Sequence, residues 1–366
     1  VEQLSTTPTT SFFALSLAAL LAATTAADAE TVAAPAEEAD AETTGRTGDA
    51  VEIPVFDGNV IHFAPDDASS FDGGGVRAES DGRVIVRTVE LPTLFEPARI
   101  TAVVTTGPIP KDEISVNDPW DRAGNVRLSV DGAPDIELVK FVTAYGGVTE
   151  HEVDVSHLAP VLQGACTFRG FVDTWVTPGW KMDFALRFEP ADEDEQAGQP
   201  YDLSRTDWCR ALVYEESLTD ELMAEGPLES VVDVPEGTER VLLYYLSSGH
   251  CTDGTGADEF ISKDNVVAVD GTVVHRFRPW RADCRRFRDV NPYTRRWSDG
   301  WWSSDYGRSG WCPGDSVAPA VLDLTDHLTP GRHTVTVAVE DVRPRNEDGH
   351  FGYWRVSGYV VGWESR

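Results

Sequence analysis

The sequence predicts an all-β protein built as two antiparallel sandwiches, and three observations carry that expectation. Beyond residue 50, apolar side chains recur at every second position in short runs, as in Met182, Phe184, Leu186 and Phe188 or Val335, Val337 and Val339. That is the period of a strand with one buried face. Tight-turn dipeptides such as Asp131-Gly132 and Asp270-Gly271 separate the runs, and the second, between residues 266–269 and 272–274, has the form of a two-residue hairpin. The length of 366 residues accommodates about two domains at roughly 150 residues each. Many short strands at close spacing fit sandwiches rather than an α/β fold.

Taken in order, residues 12–26 form one uncharged apolar run rich in Ala and Thr, shorter than the roughly 20 apolar residues of a membrane span. Ala27-Asp28-Ala29 follows as a small-x-small cleavage pattern, so residues 1–29 read as a secretory signal peptide. Residues 30–50 hold almost no large apolar side chain and read as a disordered acidic linker. The expected product is a monomer that is secreted, periplasmic or on the cell surface, with no membrane contact once the signal is removed. Five cysteines in an exported chain point to disulfides rather than thiol chemistry.

The first sandwich is expected over residues 51–190, where Val126, Leu128 and Val130, then Val153 and Val155, alternate. Residues 191–228 are expected to link the halves and to contain a helix around 214–224, beyond the acidic run 192–195. The second sandwich is expected over 229–366.

Acidic residues number 62 against 30 basic ones, a formal charge of −32, which excludes a general nucleic-acid binder. Residues 276–312 are the exception, with nine of the 26 arginines, four aspartates and five of the 11 tryptophans. Aromatic density outside an alternating pattern suggests a long surface loop. Cys284 and Cys312 could staple it, and closing about 27 residues would stabilise the fold by about 3–4 kcal/mol. Aromatic faces and guanidinium forks suit sugars and carboxylates. They also suit single-stranded nucleic acid, which the acidic remainder disfavours. The plainer reading is a self-packed loop whose arginines pair with the protein's own acids.

Three further constellations could carry chemistry. Trp120-Asp121-Arg122 places a carboxylate beside a guanidinium, which would hold it ionised, and an indole that could stack on a sugar or peptide. Asp173-Thr174-Trp175 follows a strand-like run, where Asp is usually a turn-maker. Residues 247–260 form a glycine-rich segment ending in Asp258-Glu259-Phe260. Calcium is a rival use of Asp253, Asp258 and Glu259, but the spacing does not match an EF-hand. Cys251 beside His250 makes a poor nucleophile–base pair, because neighbours on an extended chain point to opposite faces. The eight histidines show no adjacent pair and no His-x-His, so copper or zinc is poorly supported.

In their order along the chain these pieces resemble the peptide:N-glycosidase F family, secreted bacterial amidases that remove N-linked glycans. The resemblance rests on Trp120-Asp121-Arg122-Ala123-Gly124-Asn125-Val126, Phe141-Val142-Thr143-Ala144-Tyr145, Asp173-Thr174-Trp175, a turn-like Ser248-Gly249-His250, Asp258-Glu259-Phe260, and Arg308-Ser309-Gly310-Trp311-Cys312-Pro313-Gly314. It runs from about Val55 to the C-terminus, and its last motif is the most specific.

The resemblance implies two eight-stranded jelly rolls side by side with the site in the cleft between them. It implies hydrolysis of the side-chain amide of glycosylated Asn in a glycoprotein or glycopeptide, with no metal or other cofactor. Asp121 is the principal catalytic acid, Glu259 and Asp173 its supports, and Trp120, Arg122, Trp175, His250, Arg308 and Trp311 fall at the substrate. A bridge between Cys284 and Cys312 is also implied. Amide hydrolysis needs one carboxylate to activate water and a second acid of raised pKa for the leaving amine. The sequence departs from the family where Asp173 replaces Glu, which withdraws the carboxylate by about 1.5 Å. It departs again in lacking the Cys pairs around Trp120 and Glu259. The rival functions are a glycan-binding relative without catalysis and a copper-dependent peptide monooxygenase-like protein, which shares the jelly-roll architecture.

Overall fold

The structure, a computed structural model, describes residues 50–94, 98–190, 205–252 and 258–365. The expected signal peptide, the linker apart from Ala50, the acidic run 192–195 and residues 253–257 lie outside them. Strands are numbered here in chain order. One four-stranded sheet runs β1 (Val51–Ile61), β9 (Trp180–Pro190), β4 (Ala98–Pro108), β7 (Thr149–Asp154). Its partner has six strands in the order β15 (Asp315–Ser316), β6 (Ile136–Val142), β5 (Ala123–Leu128), β8 (Gly164–Val172), β3 (Val84–Leu91), β2 (Arg77–Glu79). A third sheet runs β10 (Trp208–Leu218), β18 (Gly352–Glu364), β12 (Thr238–Cys251), β16 (Ala320–Asp323), and a fourth β11 (Leu228–Val234), β17 (Gly331–Val339), β13 (Asn265–Val269), β14 (Thr272–Phe277).

The pairings are antiparallel, as between β1 and β9 or β12 and β18. Against the expected eight strands in each sandwich, the sheets of the first hold four and six and those of the second four and four. The six include β15, supplied by the C-terminal half.

Period-two burial builds both cores. On β9 the side chains of Trp180, Met182, Phe184, Leu186 and Phe188 are buried while their neighbours are not, and they meet Phe56, Val104 and Phe168. Full burial of each such side chain stabilises the fold by about 1.5–3 kcal/mol. On β17, Val335, Val337 and Val339 pack with Leu243, Val267 and Trp354 in the second core. The hairpin β13–β14 turns at Asp270 (φ 49°) and Gly271 (φ 78°), with Val269 facing Thr272. Positive φ at both turn positions is the twist-matched geometry for a two-residue loop.

The helix expected over 214–224 is corrected. Residues 208–218 form β10, paired with β18, and the helix α1 covers only Asp220–Glu225, capped by the Thr219 side chain accepting from the Leu222 amide. Register shifts between Ala211 and Val213 and between Glu215 and Leu218 break the alternation. The strand therefore does not read as period two. Ser248-Gly249-His250, read as turn-like, lies inside β12.

The sheet containing β12 and β18 serves both cores. Val241, Leu243, Tyr245, Val356 and Val360 belong to the second core, while the alternate residues Leu242, Tyr244, Leu246, Tyr359 and Val361 belong to the first. A polar layer lies on that first-core side of the sheet. His157 stacks on Tyr244 at 3.9 Å and lies 2.9 Å from the Tyr359 hydroxyl. Glu137 takes the Ser357 hydroxyl at 2.5 Å and the Lys140 ammonium at 3.2 Å. Among the described residues, no helix is long and apolar enough to cross a membrane.

Candidate active site

The loop before β5 carries Asp121, and a residue that the sequence left inconspicuous organises it. Asp118 is fully buried and accepts from Arg122 Nε at 2.9 Å, Arg122 Nη2 at 2.9 Å, the Thr174 hydroxyl at 2.7 Å and the Trp180 indole at 3.2 Å. Arg122 hydrogen-bonds Asp118 rather than Asp121. Burial raises the Asp121 pKa and outweighs the Arg122 charge, which still lowers it as expected. The Arg122 amide donates to the Thr143 hydroxyl and the Thr143 amide to Arg122 O, both at 2.8 Å, tying the loop to the end of β6.

The second half of the site comes from residues 258–314. Strand β15 pairs with β6 through Asp315–Val142 and Ser316–Phe141, which stitches the segment carrying Arg308 onto the first sandwich. Asn291 fastens it further, donating to Phe287 O and Pro313 O while accepting the Tyr145 amide at 2.8 Å. Two glycines allow close approach. At Gly310 (φ +87°) a Cβ would sit 2.4 Å from Ser247 O, and at Gly249 one would sit 2.5 Å from Asp258 O. The expected disulfide is present, with Cys284 and Cys312 Cα atoms 5.1 Å apart.

These constraints bring Asp121 and Glu259 to one guanidinium. The Arg308 side chain is 0% exposed, with Nε 3.0 Å from Glu259 Oε1 and Nη2 3.7 Å from Asp121 Oδ2. Its remaining donors reach Ser303 O at 2.9 Å, Tyr306 O at 3.0 Å and the Tyr145 hydroxyl at 3.4 Å. Its flat faces lie against Phe260 and Trp311, 5.0 and 4.8 Å from the ring centres. The two carboxylates keep 14% and 17% exposure. Glu259 Oε2 also takes the Cys251 thiol at 3.3 Å, and Tyr145 bonds Asp121 while lying 2.8 Å from Ser303 Oγ.

Burial raises the pKa of both acids, against the opposing pull of the Arg308 charge. The Asp121 charge raises Glu259 further. Two carboxylates facing one buried cation hold a proton to higher pH than either would alone, a property of the pair. Burial also pushes the Tyr145 hydroxyl upward, and the Asp121 charge adds to that.

Three residues expected at the substrate lie inside the protein instead. Arg308, Trp311 and His250 are all buried. Trp311 donates its indole N–H to Gly249 O at 2.8 Å, and His250 stacks between Trp311 and Tyr353, each 5.3 Å away, with Ser248 Oγ 2.8 Å from its Nε2. Burial and then the Arg355, Lys140 and Arg308 charges hold His250 well below its ordinary pKa, so the ring is neutral. Of the three, Arg308 reaches the carboxylates, Trp311 lies against the Arg308 guanidinium, and His250 stacks on Trp311.

Asp173, expected as a supporting acid, has both oxygens engaged with cations, Oδ1 taking Arg83 at 3.2 Å and Oδ2 taking Arg355 at 2.7 Å. Asp258 is likewise occupied, accepting the Arg343 amide at 2.9 Å beside Lys263. Among the described residues, no cluster of three His, Cys, Asp or Glu is disposed to hold a metal.

Trp120 and Trp175, by contrast, are exposed at 48% and 54%, with Arg295 lying over Trp120 and Arg83 and Phe63 against Trp175. Trp120 edges a cavity of about 250 Å³ that Tyr145, Ser303, Arg295, Arg296 and Trp297 also line. Asp118, Tyr145, Ser303, Tyr353 and Arg355 were not recognised as site residues. Of these only Tyr145 stood in a quoted motif. A larger cavity of about 810 Å³ lies elsewhere, around Asp207, Arg240, Asp323 and Trp363, away from these groups.

Residues 217–361 match the family described as peptide-N-glycosidase F, C terminal. Among solved structures, PNGF-II is 22% identical with a TM-score of 0.71, covering 86% of this chain and 66% of its own. Recombinant peptide: N-glycanase F is 17% identical with a TM-score of 0.66, covering 87% of this chain and 96% of its own. PNGase F, a glycosylasparaginase from Flavobacterium meningosepticum, is 16% identical with a TM-score of 0.65, covering 87% and 97%. At these identities the likeness speaks for the fold. No curated protein matches the sequence.

Proposed function

Because the chain belongs, through residues 217–361, to the peptide-N-glycosidase F family, we propose that it is a secreted, monomeric amidase built from two jelly rolls. It hydrolyses the glycan-bearing Asn side chain of N-glycoproteins or glycopeptides. One observation supports this most. Asp121 from the first sandwich and Glu259 from the second meet at the buried Arg308 guanidinium, beside a cavity edged by the exposed Trp120.

In this reading the Asp121 carboxylate takes a proton from water as the water oxygen bonds to the amide carbon. Glu259, whose pKa burial raises, gives its proton to the amide nitrogen as the C–N bond breaks. The products are Asp and a glycosylamine. Arg308 touches no substrate and acts through the two carboxylates, holding them together and limiting how far their pKa values rise. Trp120 and Trp175 present faces for a sugar ring or the peptide.

The test is release of free glycan from a denatured N-glycoprotein, followed by mass spectrometry, with wild type and Asp121→Asn. Release by the wild type and its loss in the variant supports the reading. No release by a wild type that still binds glycopeptide overturns it in favour of a non-catalytic glycan-binding protein.

A further inference from the structure

The nine arginines of 276–312 divide into two groups. Six meet carboxylates: Arg276 with Glu340, Arg278 with Asp264, Arg281 with Asp283 and Asp315, Arg286 with Asp283, Arg288 with Asp305, and Arg308 with Glu259. The self-packed reading of the loop holds for these. Arg285, Arg295 and Arg296 have no carboxylate within 4.0 Å among the described residues. Elsewhere among the described residues Arg87 and Arg210 also lack an ion pair, but each donates to a backbone carbonyl. Of the three in this segment, two line the same cavity, the one that Trp120 and Tyr145 also line.

Both guanidiniums are oriented by indoles rather than by ions. Arg295 lies over Trp120 at 5.6 Å and Arg296 over Trp302 at 4.9 Å. A cation–π contact fixes the plane of the fork while leaving its N–H edges to donate, and neither side chain donates to any described residue. The cavity therefore combines flat aromatic faces for a pyranose ring, Trp120 and Trp297, with two positive, unspent hydrogen-bonding edges. A neutral N-glycan core could use the faces and accept hydrogen bonds from the N–H edges, but it would leave both charges uncompensated, whereas an anion would also neutralise them.

We infer that this cavity selects a glycan carrying an anionic substituent, a carboxylate, sulfate or phosphate on a sugar ring stacked at Trp120, and that Arg295 and Arg296 read that charge. The inference takes its location from the amidase reading and names the substrate class for that site. The anion is assigned to the glycan rather than to a flanking acidic side chain of the peptide because the same cavity supplies the ring-stacking surfaces. A charge-assisted fork on an anion is strong and geometrically specific, and at a partly exposed site it weakens as salt rises.

The experiment is calorimetric binding of full-length protein in an Asp121→Asn background, so that no turnover intervenes. Three synthetic glycopeptides serve as probes: a neutral core glycan on a neutral peptide, the same glycan bearing a ring sulfate, and the neutral glycan on a peptide with Asp beside the glycosylated Asn. The expected result is that the sulfated glycan binds about tenfold tighter than the neutral one at low salt. That preference should collapse in Arg295→Gln/Arg296→Gln and persist in Arg285→Gln, the unpaired arginine outside the cavity. Equal affinities, or a preference that survives the double substitution, overturn the inference. A preference that follows only the peptide Asp overturns the assignment to the glycan. Because the readout is binding, failure of the amidase reading appears separately, as absent glycan release by the wild type with the charge preference intact.

Discussion

Arg308 Nε lies 3.0 Å from Glu259 Oε1 with the guanidinium wholly enclosed. A buried cation is stable only where carboxylates and carbonyls satisfy it, and here Glu259, Asp121, Ser303 and Tyr306 share that task. Arg308→Gln strands two partly buried carboxylates against each other. Breaking such a pair from one side costs about 3–5 kcal/mol, to be read as a lowered urea midpoint. The surviving activity, if measurable, should show its acidic limb moved to higher pH, because the charge that opposes the rise in both pKa values is gone.

Asp121→Asn tests the electrostatics by stability. Burial raises the Asp121 pKa above the ordinary value of an aspartate. Such a group contributes stability that is fully present below the unfolded pKa and is lost as pH rises through the folded one. Asn does not ionise and escapes that loss. The melting temperature of the variant should therefore exceed that of the wild type by a margin near zero at about pH 3 that grows as pH rises through the folded-state titration of Asp121 and then levels off. A margin independent of pH would contradict the buried-charge assignment.

The bridge between Cys284 and Cys312 spans 28 positions and encloses Arg288, Arg295, Arg296 and Arg308. Replacing both cysteines by Ser should destabilise the protein by about 3–4 kcal/mol on the chain-entropy account. Comparing the unfolding free energies of oxidised wild type and double variant measures it.

Two tryptophans separate binding from scaffold. Trp120→Ala removes an exposed face at the cavity and should lower kcat/KM about tenfold while leaving the melting temperature nearly unchanged, the loss of one aromatic contact. Trp311→Ala removes a buried wall of Arg308 and the bond to Gly249 O, and should lower the melting temperature strongly, as aromatic truncations in a core cost about 3–5 kcal/mol.

What could be read in advance follows from how local each signal is. The alternation on β9 and the Asp270-Gly271 hairpin were legible because a strand with one buried face and a two-residue turn are written in neighbouring residues. Strand β10 was not, since its bulges scramble the alternation. Asp121 and Glu259 were picked out through a resemblance spread over the chain, but their common partner was placed at the substrate rather than beneath them. Nothing local to Arg308 reveals that β15 pairs with β6 and sinks it beside Tyr145. Asp118 passed unnoticed among many acids because its partners Thr174 and Trp180 lie 56 and 62 positions away.

The central claim is that Asp121 and Glu259 together hydrolyse the amide that joins glycan to Asn. Its most direct measurement is mass spectrometry of an N-glycopeptide treated with the protein in ¹⁸O-labelled water. The account predicts that wild type converts the glycosylated Asn to Asp carrying one ¹⁸O, with an intact free glycan, and that Asp121→Asn and Glu259→Gln do not. A glycan still attached after wild-type treatment, or one cleaved between its sugars so that a residue stays on Asn, would contradict it.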